Sequence, residues 1–572
     1  MQEAVTEAAQ TGAAASKNLI ATLELPALAV RELSCGCASE RQLYRWLAHY
    51  DLQPYHPSDQ QRLAGLLLTL IDEVAQWQAP AERRLPMLEL LREYTLACVD
   101  AMAIQRGVLA RAQTPELREA VLLASRMLRQ LGAAYASIAA QLAGDGGVAL
   151  LVRGRRACSL HRAVDSQRRQ VRIAALFGLA TPKHCWRDMQ VLLRLAQLHR
   201  VDGKRVADSL HPRGRDSAAR AYLQAALFAS ANPVQLNGEE QERLWDLTHD
   251  WARAAKITGN YTEMRDGLLA CLNLDQPPVP ANRLGSCKVD LRHFSGSRGW
   301  KVDLTGVLAL LDKQLQKYAD PLFERASKGW AAHSGRTERR TPLQQHCEIA
   351  IGIGAISFHL GGSGGPALPD GFFPRGEADR AHLCLDVDSV DYASGKTMNE
   401  YDVSLPSAPS LRRDARGRAS SSERGAEQRY RPEQANVLNS SAHGLGLSLP
   451  QAVGDKLRVG ELVGIRLQEQ WQVAVIRWQF TMPDHSRAGI EIFAAEALPV
   501  KVQRHTTAGH LSAPIAALLL KAAQEETPSL ILPVPLFKVY DTVELLSESQ
   551  SYPVTLQTQL MGTGTFARFE YV

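Results

Sequence analysis

Residues 471–493, WQVAVIRWQFTMPDHSRAGIEIF, contain two alternating apolar segments separated by a short polar stretch. Alternation from Trp471 to Phe480 and from Ala488 to Phe493 is typical of strands that bury one face. The intervening Pro483 to Arg487 contains turn-forming residues and predicts a hairpin loop. This stretch therefore predicts an antiparallel β-hairpin.

Similar short strands surround the hairpin. They are predicted at Ala435 to Leu438, Leu445 to Leu449 and Leu462 to Leu467, and an isoleucine-rich apolar run from His346 to Leu360 precedes them. Short strands at this spacing predict a small antiparallel β-barrel over residues 336–500.

A long polar segment interrupts this region at residues 361–432. It opens with GGSGG at 361–365 and continues with prolines and a Ser/Arg-rich stretch. Too few apolar residues are present to offset the entropy of ordering, so we predict a mostly disordered loop inserted in the barrel. One short strand is predicted within it, at Ala381 to Val387.

The last part of the chain, residues 501–572, is predicted to be β-rich. A helix at about 512–524 should precede four strands, which form either a second small β-domain or an extension of the first. The predicted strands are Ser529 to Val534, Lys538 to Leu546, Val554 to Leu560 and Thr565 to Val572.

The N-terminal half has the 3.6-residue apolar period of helices rather than the period of strands. Ser39 with Gln42 and Asn237 with Glu240 fit capping boxes at helix starts. We predict a disordered tail at 1–18, a helical bundle at 19–283, and a joint with short strands and a helix at 284–335. The predicted joint contains strands at Cys287 to Phe294 and Trp300 to Leu304, and a helix at Val307 to Tyr318. The fold class is thus an all-α domain followed by β-barrel material.

Composition narrows the functional classes. The formal net charge of the 572 residues is only +5, whereas a protein that binds duplex nucleic acid carries a concentrated basic face. Nine scattered cysteines do not form a disulfide framework. We find neither a signal peptide nor an apolar run long enough to span a bilayer. We expect a cytoplasmic protein with reduced thiols and no metal or cofactor.

One polar motif, NSSAHG at residues 439–444, lies at a predicted strand end. It resembles the [D/N]-x-S-x-x-G motif of PilZ domains, six-stranded barrels that bind cyclic-di-GMP on their outer surface. That family pairs it with an R-x-x-x-R motif just ahead of the first strand, and Arg336 and Arg340 supply this spacing. The resemblance covers residues 336–500. It implies a cyclic-di-GMP site formed by Arg336, Arg340, Asn439, Ser441 and Gly444.

The chemistry of these residues fits such a ligand. Guanidinium groups bind phosphates and guanine edges and also stack on purine faces. Arg412 and Arg416 form a second R-x-x-x-R match, closer to the usual family spacing from Asn439. We favour Arg336 and Arg340 because an apolar strand follows them. The alternative interpretation of Asn439 and Ser441 is an ordinary turn at the end of a strand.

The motifs and the composition favour some functions over others. The sequence favours a cyclic-di-GMP receptor whose helical domain relays the signal to an unidentified protein partner. The alternative is an interaction scaffold with a ligand-free barrel. A nucleic-acid adaptor that uses the seven arginines between Arg412 and Arg431 is less favoured. No catalytic motif is evident, so we predict that the protein is not an enzyme.

Overall fold

A computed structural model of the chain describes two compact units. The first comprises residues 1–337 with 480–483, and the second comprises 338–479 with 484–572. The described residues are 13–50, 56–105, 107, 114–144, 149–210, 214–258, 267–272, 274–281, 299–317, 320–330, 340–361, 428–468, 470–494, 496–504, 511–521, 528–546 and 551–572.

The first unit is helical, as the sequence predicts. Its helices are α1 (13–20), α2 (Glu40–Leu47), α3 (Pro57–Gln76), α4 (Ala81–Val99), a π-helical turn (Asp100–Ile104), α5 (Pro115–Gly144), α6 (Ala149–Leu176), α7 (Cys185–Leu198), α8 (Ala218–Ser230), α9 (Gly238–Trp251), α10 (Thr305–Lys317) and α11 (Pro321–Trp330). The capping box at Asn237 and Glu240 is confirmed, because each side chain accepts the backbone N–H of the other residue. At α2, the Ser39 side chain accepts the Gln42 N–H.

Two corrections apply to the first unit. Residues 13–20 are helical, although the sequence predicts a disordered tail as far as residue 18. Short strands also occur where only helices were predicted: β1 (Val206–Ala207) pairs with β2 (Arg215–Asp216), and β3 (Lys256–Thr258), β4 (Leu268–Cys271) and β5 (Val279–Pro280) join β6 (Gly299–Asp303) of the predicted joint in a sheet of order β3-β6-β4-β5. The predicted strand at 300–304 is confirmed as β6. The strand at 287–294 falls outside the described residues.

A buried ionic cluster joins distant helices of this unit. Arg92 on α4 lies 2.9 Å from Asp165 on α6 and 2.9 Å from Asp208 in the loop after α7. Arg162 binds the same Asp208 at 2.7 Å and also pairs with Glu89. Because each charge has a hydrogen-bonded partner, the cluster compensates for its own desolvation and fixes how α4 and α6 pack.

The second unit contains two closed barrels. The first barrel comprises β7 (Thr341–Ile351), β8 (Glu433–Ser440), β9 (Gly444–Pro450), β10 (Leu462–Leu467), β11 (Gln470–Thr481) and β12 (His485–Ala494), in the ring order β10-β11-β12-β9-β8-β7. Buried aliphatic side chains from all six strands fill its interior, including Val437, Leu447 and Ile465. The predicted barrel and the β11–β12 hairpin are thereby confirmed.

The apolar run from His346 to Leu360 is only partly a strand. β7 ends at Ile351, and α12 (Gly352–His359) follows it directly. Gly352 has φ +82°, a conformation that favours glycine and allows the chain to turn from strand into helix. Of the predicted loop at 361–432, residues 362–427 lie outside the described residues, as does the predicted strand at 381–387.

The second barrel comprises β13 (Ala497–Arg504), β14 (Ile515–Leu520), β15 (Ser529–Pro533), β16 (Thr542–Leu546), β17 (Ser551–Gly562) and β18 (Phe566–Tyr571), in the order β13-β14-β15-β18-β17-β16. Its apolar interior is separate from that of the first barrel. The predicted helix at 512–524 is wrong, because Ile515–Leu520 is a strand that pairs with β13 and β15. An unbroken apolar segment of this length does not distinguish a helix from a strand that is buried on both faces.

Among the described residues, no helix is both long enough and apolar enough to span a bilayer.

Candidate functional site

The predicted polar motif forms the connection between β8 and β9 of the first barrel. Asn439 lies at the end of β8, next to a bulge, and pairs with Gly446 of β9. The Ser441 backbone N–H donates to the Gly444 carbonyl at 2.9 Å, and the Ser441 hydroxyl donates to the same oxygen at 3.3 Å. The motif is therefore a tight turn that fixes the Asn439 side chain at a strand end, so the turn interpretation and the site interpretation coexist.

Gly444 starts β9 where two strands approach closely. A Cβ atom at this position would overlap the carbonyl oxygen of Ile490 on β12, so only glycine fits. The turn is also held from the other side, because the Ile492 N–H donates to the His443 carbonyl at 2.9 Å. The geometry of the motif is thus determined by backbone contacts.

Arg340 lies immediately before β7 and reaches the motif from the neighbouring strand. Its Nη1 donates to Asn439 Oδ1 at 3.2 Å, across a separation of 99 residues in sequence. The pairing of Pro342 with Asn439 in the β7–β8 ladder places the two residues side by side. The structure therefore brings Arg340, Asn439, Ser441 and Gly444 together. Arg336, Arg412 and Arg416 lie outside the described residues.

Two paired glycines adjoin these residues on the outside of the barrel. Gly446 on β9 and Gly489 on β12 are directly paired, and both are buried. A Cβ at Gly446 would come within 2.7 Å of the Asn439 Oδ1, and a Cβ at Gly489 would overlap the indole nitrogen of Trp478. The paired glycines therefore form a floor on which the Asn439 amide and the half-buried Trp478 indole lie directly.

The sequence patterns do not indicate a binding role for Gly446, Gly489 or Trp478. A glycine within a strand signals a close approach of another group, and both GLG at 444–446 and AG at 488–489 contain one. Their pairing depends on the register between β9 and β12, which no local pattern supplies. Trp478 lies in a predicted strand, and the strand pattern alone predicts no contact for its ring.

The set offers binding groups rather than reacting ones. A guanidinium, a carboxamide and an aromatic ring lie on the outside of the barrel at this place, and these groups bind phosphates, base edges and base faces. Among the described residues, no group of three or more His, Cys, Asp or Glu side chains is placed to hold a metal ion.

The model of the middle PilZ domain of the cyclic-di-GMP receptor FimW matches residues 311–499. The chain contains a PilZ domain. Its first barrel is the PilZ barrel, and the Arg340–Asn439 contact lies on the outer surface of that barrel.

The regions on either side of the PilZ domain match further models of the same receptor. Residues 41–263 match its N-terminal domain, and residues 500–572 match its C-terminal β-barrel domain. The cyclic-di-GMP receptor FimW of Pseudomonas aeruginosa is 25% identical over 96% of this chain and 93% of its own length. No solved structure matches the chain. The similarity thus extends through the helical unit, which the sequence alone did not assign to a family.

Proposed function

We propose that this protein is a cyclic-di-GMP receptor that binds the dinucleotide on the outer surface of its PilZ barrel. The observation that carries the proposal is the contact between Arg340 and Asn439 at the edge of the floor formed by Gly446 and Gly489. The two predicted motifs meet there although 99 residues separate them. Similarity to a cyclic-di-GMP receptor over nearly the whole chain supports the same ligand.

Each part of the surface has a role in this proposal. Arg340 is exposed and can turn from Asn439 towards a phosphate or the O6 and N7 atoms of guanine. Asn439 then offers a carboxamide for the base or the backbone of the ligand. The glycine floor lets the Asn439 amide and the Trp478 ring lie close to the strands, and the half-buried Trp478 ring offers an aromatic face for stacking on a purine. Arg336, four residues earlier in the sequence, is proposed to supply the second guanidinium.

We further propose that the helical unit relays the bound state to a protein partner, and that the protein acts in the cytoplasm without catalysing a reaction. The groups at the site support this, because they are ones that bind rather than transfer protons or attack a substrate. The cysteines that the structure describes form no disulfide bond, in keeping with a reducing compartment.

Calorimetric titration of cyclic-di-GMP into the full chain tests the proposal. We expect saturable binding at micromolar or lower ligand, undiminished by an excess of duplex DNA. Absence of binding at that concentration would overturn the receptor function and leave a ligand-free interaction scaffold. Competition by DNA, with a steep loss of affinity as salt rises, would point instead to a general polyanion surface.

A further inference from the structure

The two barrels of the second unit have the same strand order. If the strands of each barrel are numbered one to six along the chain, both rings run four, five, six, three, two, one. Every neighbouring pair whose register is known in both barrels is antiparallel. A ring of six strands can be connected in many ways, so an identical order is a substantial coincidence unless the folds are equivalent.

The strand registers also coincide. In the hairpin of strands four and five, Leu462 pairs with Val475 in the first barrel and Thr542 pairs with Thr555 in the second, 80 residues further along in both strands. Between strands one and two, Ile349 pairs with Glu433, and Val502 pairs with Ile515. Ile349 and Val502 each point into the interior of their own barrel.

One turn is repeated in detail ahead of strand four. In the first barrel Gly460 has φ +88° and donates its N–H to the Ile476 carbonyl, while the Ile476 N–H donates to Glu461. In the second barrel Tyr540 has φ +73° and donates to the Leu556 carbonyl, while the Leu556 N–H donates to Asp541. The sequences around the turns, LRVGELV at 457–463 and FKVYDTV at 537–543, match in character.

The second barrel lacks the ligand motifs. In the first barrel Val437 pairs with Leu447 and Asn439 with Gly446, whereas in the second Leu519 pairs with Leu530 and Leu520 with Ser529. These ladders place Leu520 at the position of Asn439. The chain then continues with Lys521 and AAQEETP at 522–528, without the motif serine or glycine.

In the first barrel the ligand surface is the outside of strands two, three and six, where Asn439, Gly446 and Gly489 lie. The equivalent strands of the second barrel are β14, β15 and β18. Their ladders place Ser529 and Glu570 at the positions of Gly446 and Gly489. Four other outer side chains of these strands are apolar and no more than 1% exposed: Leu518, Leu520, Ile531 and Phe566.

These side chains pack against the first barrel. They form one apolar cluster with Ile356 of α12 and with Leu462, Val473 and Val475 on the outside of β10 and β11. The corresponding outer positions of the second barrel's own β16 and β17 include Thr542, Glu544, Thr555 and Gln557, which are polar and partly or fully exposed. The outside of β16 and β17 therefore lacks the apolar surface that the outside of β10 and β11 provides.

We infer that residues 497–571 form a second PilZ-type barrel that lacks the ligand motifs and packs on the first barrel through strands equivalent to those of the ligand face, so that the chain has one cyclic-di-GMP site. The single-site part of this inference rests on the proposed function. The equivalence of the folds and the identity of the interface do not, since they follow from strand order, register and burial.

A ligand titration tests the single site. Wild-type protein should show one class of site, and Arg340→Ala combined with Asn439→Ala should abolish all saturable binding. Residual saturable binding that disappears on adding Lys521→Ala would place a second site on the second barrel and overturn the inference. If the wild type does not bind cyclic-di-GMP, the proposed function fails. The hydrogen-exchange experiment below then still tests the interface between the two barrels.

Hydrogen exchange of the full chain tests the interface. Ile531→Asp places a charge at the centre of the shared apolar cluster, and Gln557→Asp is its control on the exposed outer face of the same barrel. We expect amides of β10 and β11 in the first barrel to exchange at least tenfold faster in Ile531→Asp and to be unchanged in Gln557→Asp. Equal protection of these amides in the two variants would overturn the proposed interface. Leu518→Ala serves if Ile531→Asp fails to fold, with a smaller acceleration at the same amides.

Discussion

Removing the Arg340 guanidinium is the most direct test of the site. Arg340 is exposed, and the one hydrogen bond it makes to a described residue is with Asn439 Oδ1 at 3.2 Å. A charge-assisted hydrogen bond contributes about 1.5–3 kcal/mol. We therefore expect Arg340→Ala to weaken cyclic-di-GMP binding by about ten- to a hundredfold. The thermal transition of the unliganded protein should hardly move, because an exposed contact adds little to stability.

The assay is calorimetric titration of both the variant and a matched control. Arg466→Ala removes another arginine from the same PilZ barrel, one that pairs with Glu348 on β7 instead of approaching the motif. We expect this control to bind like the wild type. The reasoning is refuted if Arg340→Ala binds normally while the double change Arg412→Ala with Arg416→Ala abolishes binding, because the ligand arginines would then be the second pair.

Three further outcomes are expected. Trp478→Ala should weaken ligand binding about tenfold if its ring stacks on a base, since such stacking contributes about 1–3 kcal/mol, and an unchanged Kd would exclude that role. Asp165→Asn should lower the free energy of unfolding in urea by about 3–5 kcal/mol, because it leaves buried guanidinium groups unpaired, whereas the exposed Asp59→Asn should change it little. Burial and the Arg156 guanidinium lower the pKa of His199 to about 4. As the pH falls from about 6.5 towards 4, this histidine is protonated in the unfolded chain before it is protonated in the folded protein. The wild type should therefore lose more stability between pH 7 and pH 5 than His199→Gln does.

The large effect expected for Asp165 follows from its surroundings. Burial alone would raise the pKa of this carboxyl, but the guanidinium groups of Arg169, Arg168 and Arg92 hold it well below the ordinary value. It is therefore ionised throughout the physiological range, and its charge is part of the packing between α4 and α6. An isosteric amide keeps the volume, removes the charge and places an NH2 donor where one carboxylate oxygen accepts from a guanidinium, so the expected loss includes both effects.

Much of the architecture could be predicted from the sequence because it depends on local periodicity. The alternation in 471–493 predicted a hairpin, and the 3.6-residue pattern with its caps predicted the helical half. Predictions failed where local signals were equivocal. Ile515–Leu520 is apolar on both faces because Ala517 and Leu519 fill one barrel while Leu518 and Leu520 contact the other. Its sequence therefore carries no alternation to separate strand from helix.

The candidate site was predictable only in part, for a similar reason. Asn439, Ser441 and Gly444 are contiguous and form a turn that a motif can describe. The floor depends on Gly446 and Gly489, which are paired by the ring order of the barrel and lie 43 residues apart. Trp478 joins them from a third strand. A local pattern cannot show which glycines meet, because the register between non-consecutive strands is a property of the closed ring.

Comparison of the two barrels separates what specifies the fold from what specifies its use. Interior positions agree in both: Val437 corresponds to Leu519, and Ile465 to Leu545, and all four are buried aliphatic side chains. Outer positions differ, because on strand two the exposed Asn436 of the first barrel corresponds to the buried Leu518 of the second. Burial of apolar interior area drives barrel formation whatever the outer face carries. The outer face is then free to hold a polar ligand in one copy and to be covered by a neighbouring barrel in the other, which is how a single fold can supply both the receptor surface and its support.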